Sequence, residues 1–580
     1  MAENFGSVGS LPISSPALPR TEAVPTPEAK PVVAGTIVKE VEMNAAKLKV
    51  AAKSIFQRVA GAKSNPTTQT SASAGPTTAA SAVVETPVDP AARQDFWAQS
   101  FAGSPVPGVG DKGLFPVREA SGSQSVLLST GPDAYAARIQ ILKNAKRSIR
   151  MQALIFRNDE AGRQIAEILK EKRKAGLDVR VVVDAMSNLD PATQFMYYDL
   201  MRHGITVEGY EALGLEWLNE TSTKDVTQIN KRFHDKMLVV DAEDPQHAVA
   251  IVGGRNIANE YFDTGSEVKN CWRDQDFLIK GEVVGDVKNA FDRNYQDQEN
   301  IKKARGGVTT WAWDLWRRVP GADIHYKVKV NQAAKAKVDA IVAGAMAKEF
   351  VTKPLKMRFV QSRPREQYQE TYIHQAYTHL FRAAEKELLV ENAYFIPDDK
   401  ETTKSRNNML LLDQEHIEAL KNAARRGVKV TIVTNSVDSN DLPEMTYASR
   451  YLYKELLEIN GDPDTRKNGG LLTIAEWNPK KTDASGVVLG TLHAKHAVAD
   501  RRIGVGGSYN LDPRSFGLNS ETALMTESEE QCGEEAEQIR ADIRDHADVI
   551  TREQAEQFHD PKNPKDWATT KLSLAARSMF

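Results

Sequence analysis

Only two cysteines, Cys271 and Cys532, occur in 580 residues, so the chain has neither a disulfide framework nor a cysteine-built metal site, and both read as ordinary thiols. It also lacks any run of about 18 apolar residues, the length a membrane-spanning helix needs. The opening MAENFGSVGSLPISSP has neither the charged start nor the apolar stretch of a secretory signal. These absences predict a cytoplasmic or peripheral-membrane protein, with signal-independent secretion left open. An excess of one charge is missing too. With 75 Lys and Arg against 78 Asp and Glu, the formal charge is -3. That argues against a broad basic face for nucleic acid and leaves room for a local basic pocket.

What is present is length and repetition. A chain this long exceeds one ordinary hydrophobic core, which favours several domains or a fused duplication. Residues 1–115 are rich in Pro, Ala, Ser, Thr and Gly and are expected to be largely disordered. Within them, residues 37–63 place Ile37, Val41, Leu48, Ile55, Phe56 and Val59 at helical spacing among lysines. This basic amphipathic helix could dock on the body, on a protein partner that nothing in the sequence specifies, or on a membrane surface. Residues 116–300 and 356–580 then read as two α/β halves, the second with C-terminal helices. Residues 301–355 connect them and carry Trp311, Trp313 and Trp316, rings suited either to packing or to a membrane interface. KRKAGLDVRVVVD and AARRGVKVTIVTN align around Gly176 and Gly427, 251 residues apart.

The most informative repeat is RFHDKMLVVD followed by VGGRN, echoed by TLHAKHAVAD followed by VGGSYN. Each copy sets a Lys two residues and an Asp seven residues after a His: His234, Lys236 and Asp241, then His493, Lys495 and Asp500. Gly253, Gly254 and Asn256 follow the first; Gly506, Gly507, Ser508 and Asn510 follow the second. If these segments are strands, His and Lys share a face, and the Asp, of opposite parity, braces the strand end. The Gly pairs would admit a ligand or a neighbouring backbone. A pocket with two His, two Lys and two Asn suits a phosphodiester. The lysines would neutralise phosphate, the Asn amides would fix its oxygens, one neutral His would attack phosphorus, and the other would protonate the leaving oxygen. This chemistry requires no metal and no cofactor, and it predicts a bell-shaped pH profile. Asp274 and Glu521 are the candidate carboxylates to hold the His rings, with Asp276 as fallback.

These strings resemble the paired HKD motifs of the phospholipase D superfamily over residues 120–530. The resemblance implies two pseudo-twofold-related α/β halves with one active site at their interface, and exchange through a phosphohistidine. It implies His234 as nucleophile and His493 as general acid/base. GSYNLDPRSFGLNSETAL, ENAYFIPD and TNSVDSNDLPEMTYASRYLYKELLEING resemble the bacterial cardiolipin synthase and phosphatidyltransferase branch, implying a phospholipid substrate and peripheral membrane contact. Arg255 stands where that family has Ser or Gly, and reads as either a headgroup ligand or a surface pair. The competing readings are an HKD-type phosphodiester nuclease and a non-catalytic lipid-binding scaffold.

Overall fold

A computed structural model describes residues 97, 115–185, 187–210, 232–265, 271–304, 328–363, 370–396, 414–484 and 486–558. All lie in one compact unit, Val83–Phe580. The 37–63 helix, most of the 1–115 arm and the Trp311–Trp316 segment lie outside the described residues.

The apolar runs DVRVVVD and KVTIVTN form strands covered on both faces, as parallel strands require. Around them the chain builds β1 (Ser123–Leu128), β2 (Ser148–Ala153), β3 (Asp178–Asp184), β4 (Thr206–Tyr210), β5 (Arg232–Phe233), β6 (Met237–Val240), β7 (Val249–Gly253), β8 (Trp272–Arg273), β9 (Asp276–Gly281) and β10 (Lys353–Pro354). The second half adds β11 (Lys356–Ser362), β12 (Glu387–Asn392), β13 (Lys429–Asn435), β14 (Leu471–Trp477), β15 (Thr491–Leu492), β16 (Lys495–Ala499), β17 (Ile503–Gly507), β18 (Asn519–Glu527) and β19 (Ala547–Val549).

Among the described residues the first sheet runs β10-β1-β9-β7-β6-β2-β3-β4 and the second β11-β18-β17-β16-β12-β13-β14-β19. From β1 to β4 and from β11 to β14 the two orders are the same, so the internal duplication extends to topology. Local details repeat with it. Helices Glu160–Lys174 and Gln414–Arg425 are each followed by a left-handed Gly, Gly176 at φ 94° and Gly427 at φ 102°. Asp241 and Asp500 both adopt φ 52°. Asp241 accepts the backbone N–H groups of Lys146, Arg147 and Ser148, and Asp500 those of Glu385, Lys386 and Glu387. Each Asp thus ties the end of β6 or β16 to the start of β2 or β12.

The halves share one core. Helix Val283–Ala304 of the first half buries Val283, Val287 and Phe291 in the same cluster as Met357, Phe359 and Val360 of the second. Trp97, within the segment expected to be disordered, is buried in that cluster, and its indole donates to Glu527 at 2.8 Å. β2 and β12 do not run on to Phe156 and Phe395 but stop at Ala153 and Asn392. Phe156 and Phe395 instead make single parallel bridges to Ile257 and Leu511, because the chain bends out of each sheet beside the repeated motifs.

Candidate active site

The expectation that His and Lys lie together on a strand is corrected by the backbone. His234 and Lys236 fall in the irregular link between β5 and β6; His493 falls between β15 and β16, which Lys495 opens. The two short strands belong to the opposite halves' architecture. β5 pairs in parallel with β18, Arg232 opposite Asn519 and Phe233 opposite Ser520, and the His234 N–H donates to Ser520 O at 2.8 Å. Reciprocally, β15 pairs with β8, and the His493 N–H donates to Arg273 O at 2.7 Å. Each His is therefore carried by one half and docked on the other.

This exchange decides which carboxylate holds which ring. His234 Nδ1 lies 2.8 Å from Glu521 Oε2, and His493 Nδ1 lies 2.6 Å from Asp274 Oδ2. Although burial opposes ionisation, the bond to His234, the Lys236 charge and the Ser508 hydroxyl hold Glu521 below the usual carboxylate range. Asp274 is held well below it against the same burial by His493, Lys495 and Arg255. An ionised carboxylate only accepts, so each imidazole donates through Nδ1 and keeps Nε2 as a base or nucleophile. Glu521 is fixed further by the hydroxyls of Ser508, at 2.5 Å, and Ser515, at 2.7 Å. Asp276 is not a ring partner; it accepts from Arg138 and Arg255.

Arg255 is neither a headgroup ligand nor a surface pair. Its side chain is buried and donates to the carbonyls of Leu128, Ser129, Tyr261 and Asp274 as well as to Asp276. It is a strut that shapes the link between β8 and β9, which carries Asp274. The glycines before it serve the same contact rather than a ligand: a Cβ on Gly254 would fall 2.1 Å from Asp274 Oδ1, and one on Gly253 2.1 Å from Asp276 Oδ1. In the second copy a Cβ on Gly507 would meet Thr522 O at 2.2 Å, and Gly506 faces His496 and Phe277.

Lys236 and Lys495 fold back onto the carbonyl oxygens of His234 and His493. Burial, reinforced by their mutual repulsion for Lys236, lowers the ammonium of Lys236 to about 7, and burial lowers that of Lys495 to about 8. Burial also depresses both imidazoles, His234 to about 4 and His493 to about 3, with the lysines adding to the effect. Asn256 accepts from Ile155 N and donates to the Tyr261 hydroxyl, whereas the buried Oδ1 of Asn510 accepts no hydrogen bond among the described residues. His496 belongs elsewhere, bonded to Glu391 at 2.5 Å.

Residues that sequence reasoning missed line the His493 side. The Tyr261 and Trp272 rings lie 5.2 and 5.3 Å from the His493 ring. Trp272 precedes Asp274 by two residues, and that proximity in sequence was the available signal.

Two like α/β halves exchanging short strands, with a His–Lys pair from each brought to the seam, define the fold of the phospholipase D superfamily. The family model described as "Cardiolipin synthase, PLD-like domain" matches residues 138–294 and 377–544, more than half of the chain, and the chain belongs to that family. A cardiolipin synthase of Geobacillus kaustophilus is 25% identical over 445 residues, covering 77% of this chain and 70% of that protein. An uncharacterized protein of Helicobacter pylori strain 26695 is 24% identical over 449 residues, covering 73% and 79%. The crystal structure of phosphatidylserine synthase from Haemophilus influenzae Rd KW20 shares the fold with a TM-score of 0.52, 18% identity, and coverage of 80% of this chain and 97% of that one.

Proposed function

We propose that the chain is a phosphatidyltransferase working through a phosphohistidine, passing a phosphatidyl group to a lipid alcohol or to water. The crossed pairing His234–Glu521 and His493–Asp274 carries this reading, because it gives two imidazoles the same tautomer beside two buried lysines. His234 Nε2 attacks phosphorus as the P–O bond to the headgroup breaks. His493, protonated beside the phosphate's negative charge, gives its proton to the departing oxygen. In the second step His493 takes a proton from the incoming hydroxyl, whose oxygen bonds to phosphorus as the P–N bond breaks. Lys236 and Lys495 hold the phosphoryl oxygens.

A lipid rather than a nucleic acid is supported by two exposed leucines. Leu189 and Leu442, 43% and 42% exposed, occupy the loops after β3 and β13, Leu442 directly before the Pro that opens the next helix and Leu189 two residues before its own. An exposed leucine beyond the end of each of these two strands suits insertion into a bilayer surface, at about 1–2 kcal/mol each. Among the described residues no helix is long and apolar enough to cross a membrane.

The test is product analysis by mass after incubation with liposomes of defined phospholipids, with and without glycerol or phosphatidylglycerol. Headgroup release or exchange is expected, and its absence would refute the reading. The double variant Leu189→Ser/Leu442→Ser should slow turnover on vesicles while sparing a short-chain monomeric lipid; equal effects on both would remove the anchoring role.

The pH profile is a second expected result. kcat/KM reports the free enzyme. Attack needs His234 neutral and departure needs His493 charged, so the reactive form peaks where the two imidazoles titrate, at about 3 to 4, and declines as pH rises above them; neutralising Lys236 and then Lys495 through about 7 to 8 steepens the fall. The profile is therefore a bell displaced to acid, whose falling limb begins with the second imidazole and steepens where the lysines titrate. A soluble short-chain phosphodiester measured from pH 3.5 to 9.5 checks this, and a rate still rising at pH 9 would contradict it.

A further inference from the structure

The duplication is broken beside His493. At the place where the first half has Ile155, whose N–H donates to Asn256, the second half has Tyr394, one residue before its bridge at Phe395. The Tyr394 hydroxyl donates to Asp441 Oδ1 at 2.5 Å. Asp441 stands in the loop after β13, one residue before the N-cap Leu442, at the place where the first half, whose N-cap is Asp190, has Leu189. Among the described residues the Asp441 carboxylate accepts only the Tyr394 hydroxyl and lies in no salt bridge. It is solvent-exposed.

Its loop is tied to the catalytic strand. Ser439 Oγ donates to Asn435 Oδ1 at 2.9 Å, and Asn435 exchanges two hydrogen bonds with Leu492, the residue before His493. The negative charge of Asp441 reaches Lys495, Tyr261 and Tyr394, and the Tyr261 ring packs on Trp272 at 4.9 Å.

We infer that Asp441 and Tyr394, with Trp272 and Tyr261, form a subsite on the His493 side for the ammonium group of an amino-alcohol headgroup. An exposed carboxylate that lies in no salt bridge among the described residues, beside aromatic rings, matches an ammonium group through ion pairing and cation–π attraction. The inference rests on the proposed phosphatidyl transfer, in which the alcohol that leaves and the alcohol that arrives both stand next to His493. With ethanolamine as that alcohol, the P–O bond to it breaks, His493 supplies its proton, and its ammonium group stays on Asp441.

The experiment uses the full chain in two arms. In the donor arm, vesicles contain phosphatidylethanolamine or phosphatidylglycerol at equal surface density, and headgroup release is followed. In the acceptor arm, phosphatidylglycerol vesicles are supplied with free ethanolamine or glycerol, and the new lipid is identified by mass. The preference for the amine over the polyol, as a ratio of kcat/KM values, is expected to fall about tenfold in Asp441→Asn in at least one arm, and to be partly restored in Asp441→Glu. Tyr394→Phe, which frees the carboxylate to move, should lower the ratio less. A ratio unchanged in Asp441→Asn in both arms, with wild-type turnover intact, overturns the subsite alone. Wild-type protein that turns over no lipid in either arm overturns the proposed transfer and the subsite with it.

Discussion

His234→Asn is expected to abolish turnover, by about 10⁴-fold or more, because it removes the nucleophile rather than one of several stabilising contacts. His493→Ala should fail differently. His234 can still attack phosphorus, but breakdown of the phosphohistidine lacks the base that takes the acceptor's proton. A short-chain substrate with a good leaving group, which needs no proton from His493, should therefore leave His493→Ala carrying a covalent phosphatidyl adduct. Intact-protein mass and peptide mapping to His234 read this directly. An adduct on His493 in the His234→Asn variant would reverse the roles, and equal residual activity in both variants would remove the covalent route.

The second large effect concerns the crossed carboxylates. Glu521→Gln and Asp274→Asn are each expected to lower kcat by about 10²–10⁴-fold, since an amide in place of the carboxylate no longer fixes Nδ1–H or stabilises an imidazolium. Their signatures should be exchanged between halves. Glu521, in the second half, serves His234, so Glu521→Gln should slow adduct formation on the activated substrate. Asp274, in the first half, serves His493, so Asp274→Asn should let the adduct form and persist. If Glu521→Gln accumulated adduct and Asp274→Asn did not, the pairing would be wrong.

Much of the architecture was legible because its signals are local. The buried runs around Gly176 and Gly427 became β3 and β13, and the shared spacing of the two motifs became one strand order repeated in two sheets. The ends were less legible: Trp97 is packed against the second half from within a low-complexity stretch, since one aromatic in such a background carries no periodicity. Arg255 shows a different limit. A charged residue after a Gly pair reads as exposed, yet four carbonyls and Asp276 satisfy its donors in the interior. Those acceptors come from segments that meet only in the folded chain.

The sequence by itself determined that two His–Lys pairs exist, that each is followed by a Gly pair and an Asn, and that Asp274 and Glu521 were available to hold the rings. All of that is composition and spacing along one chain. Only the tertiary structure decided that Glu521 holds His234 and Asp274 holds His493, and that Asp441 and Tyr394 stand on one side of the seam without counterparts on the other. The physical reason is that β5 and β15 cross to pair with β18 and β8, and strand pairing over hundreds of residues is set by the packing of the two halves rather than by anything local to the motifs.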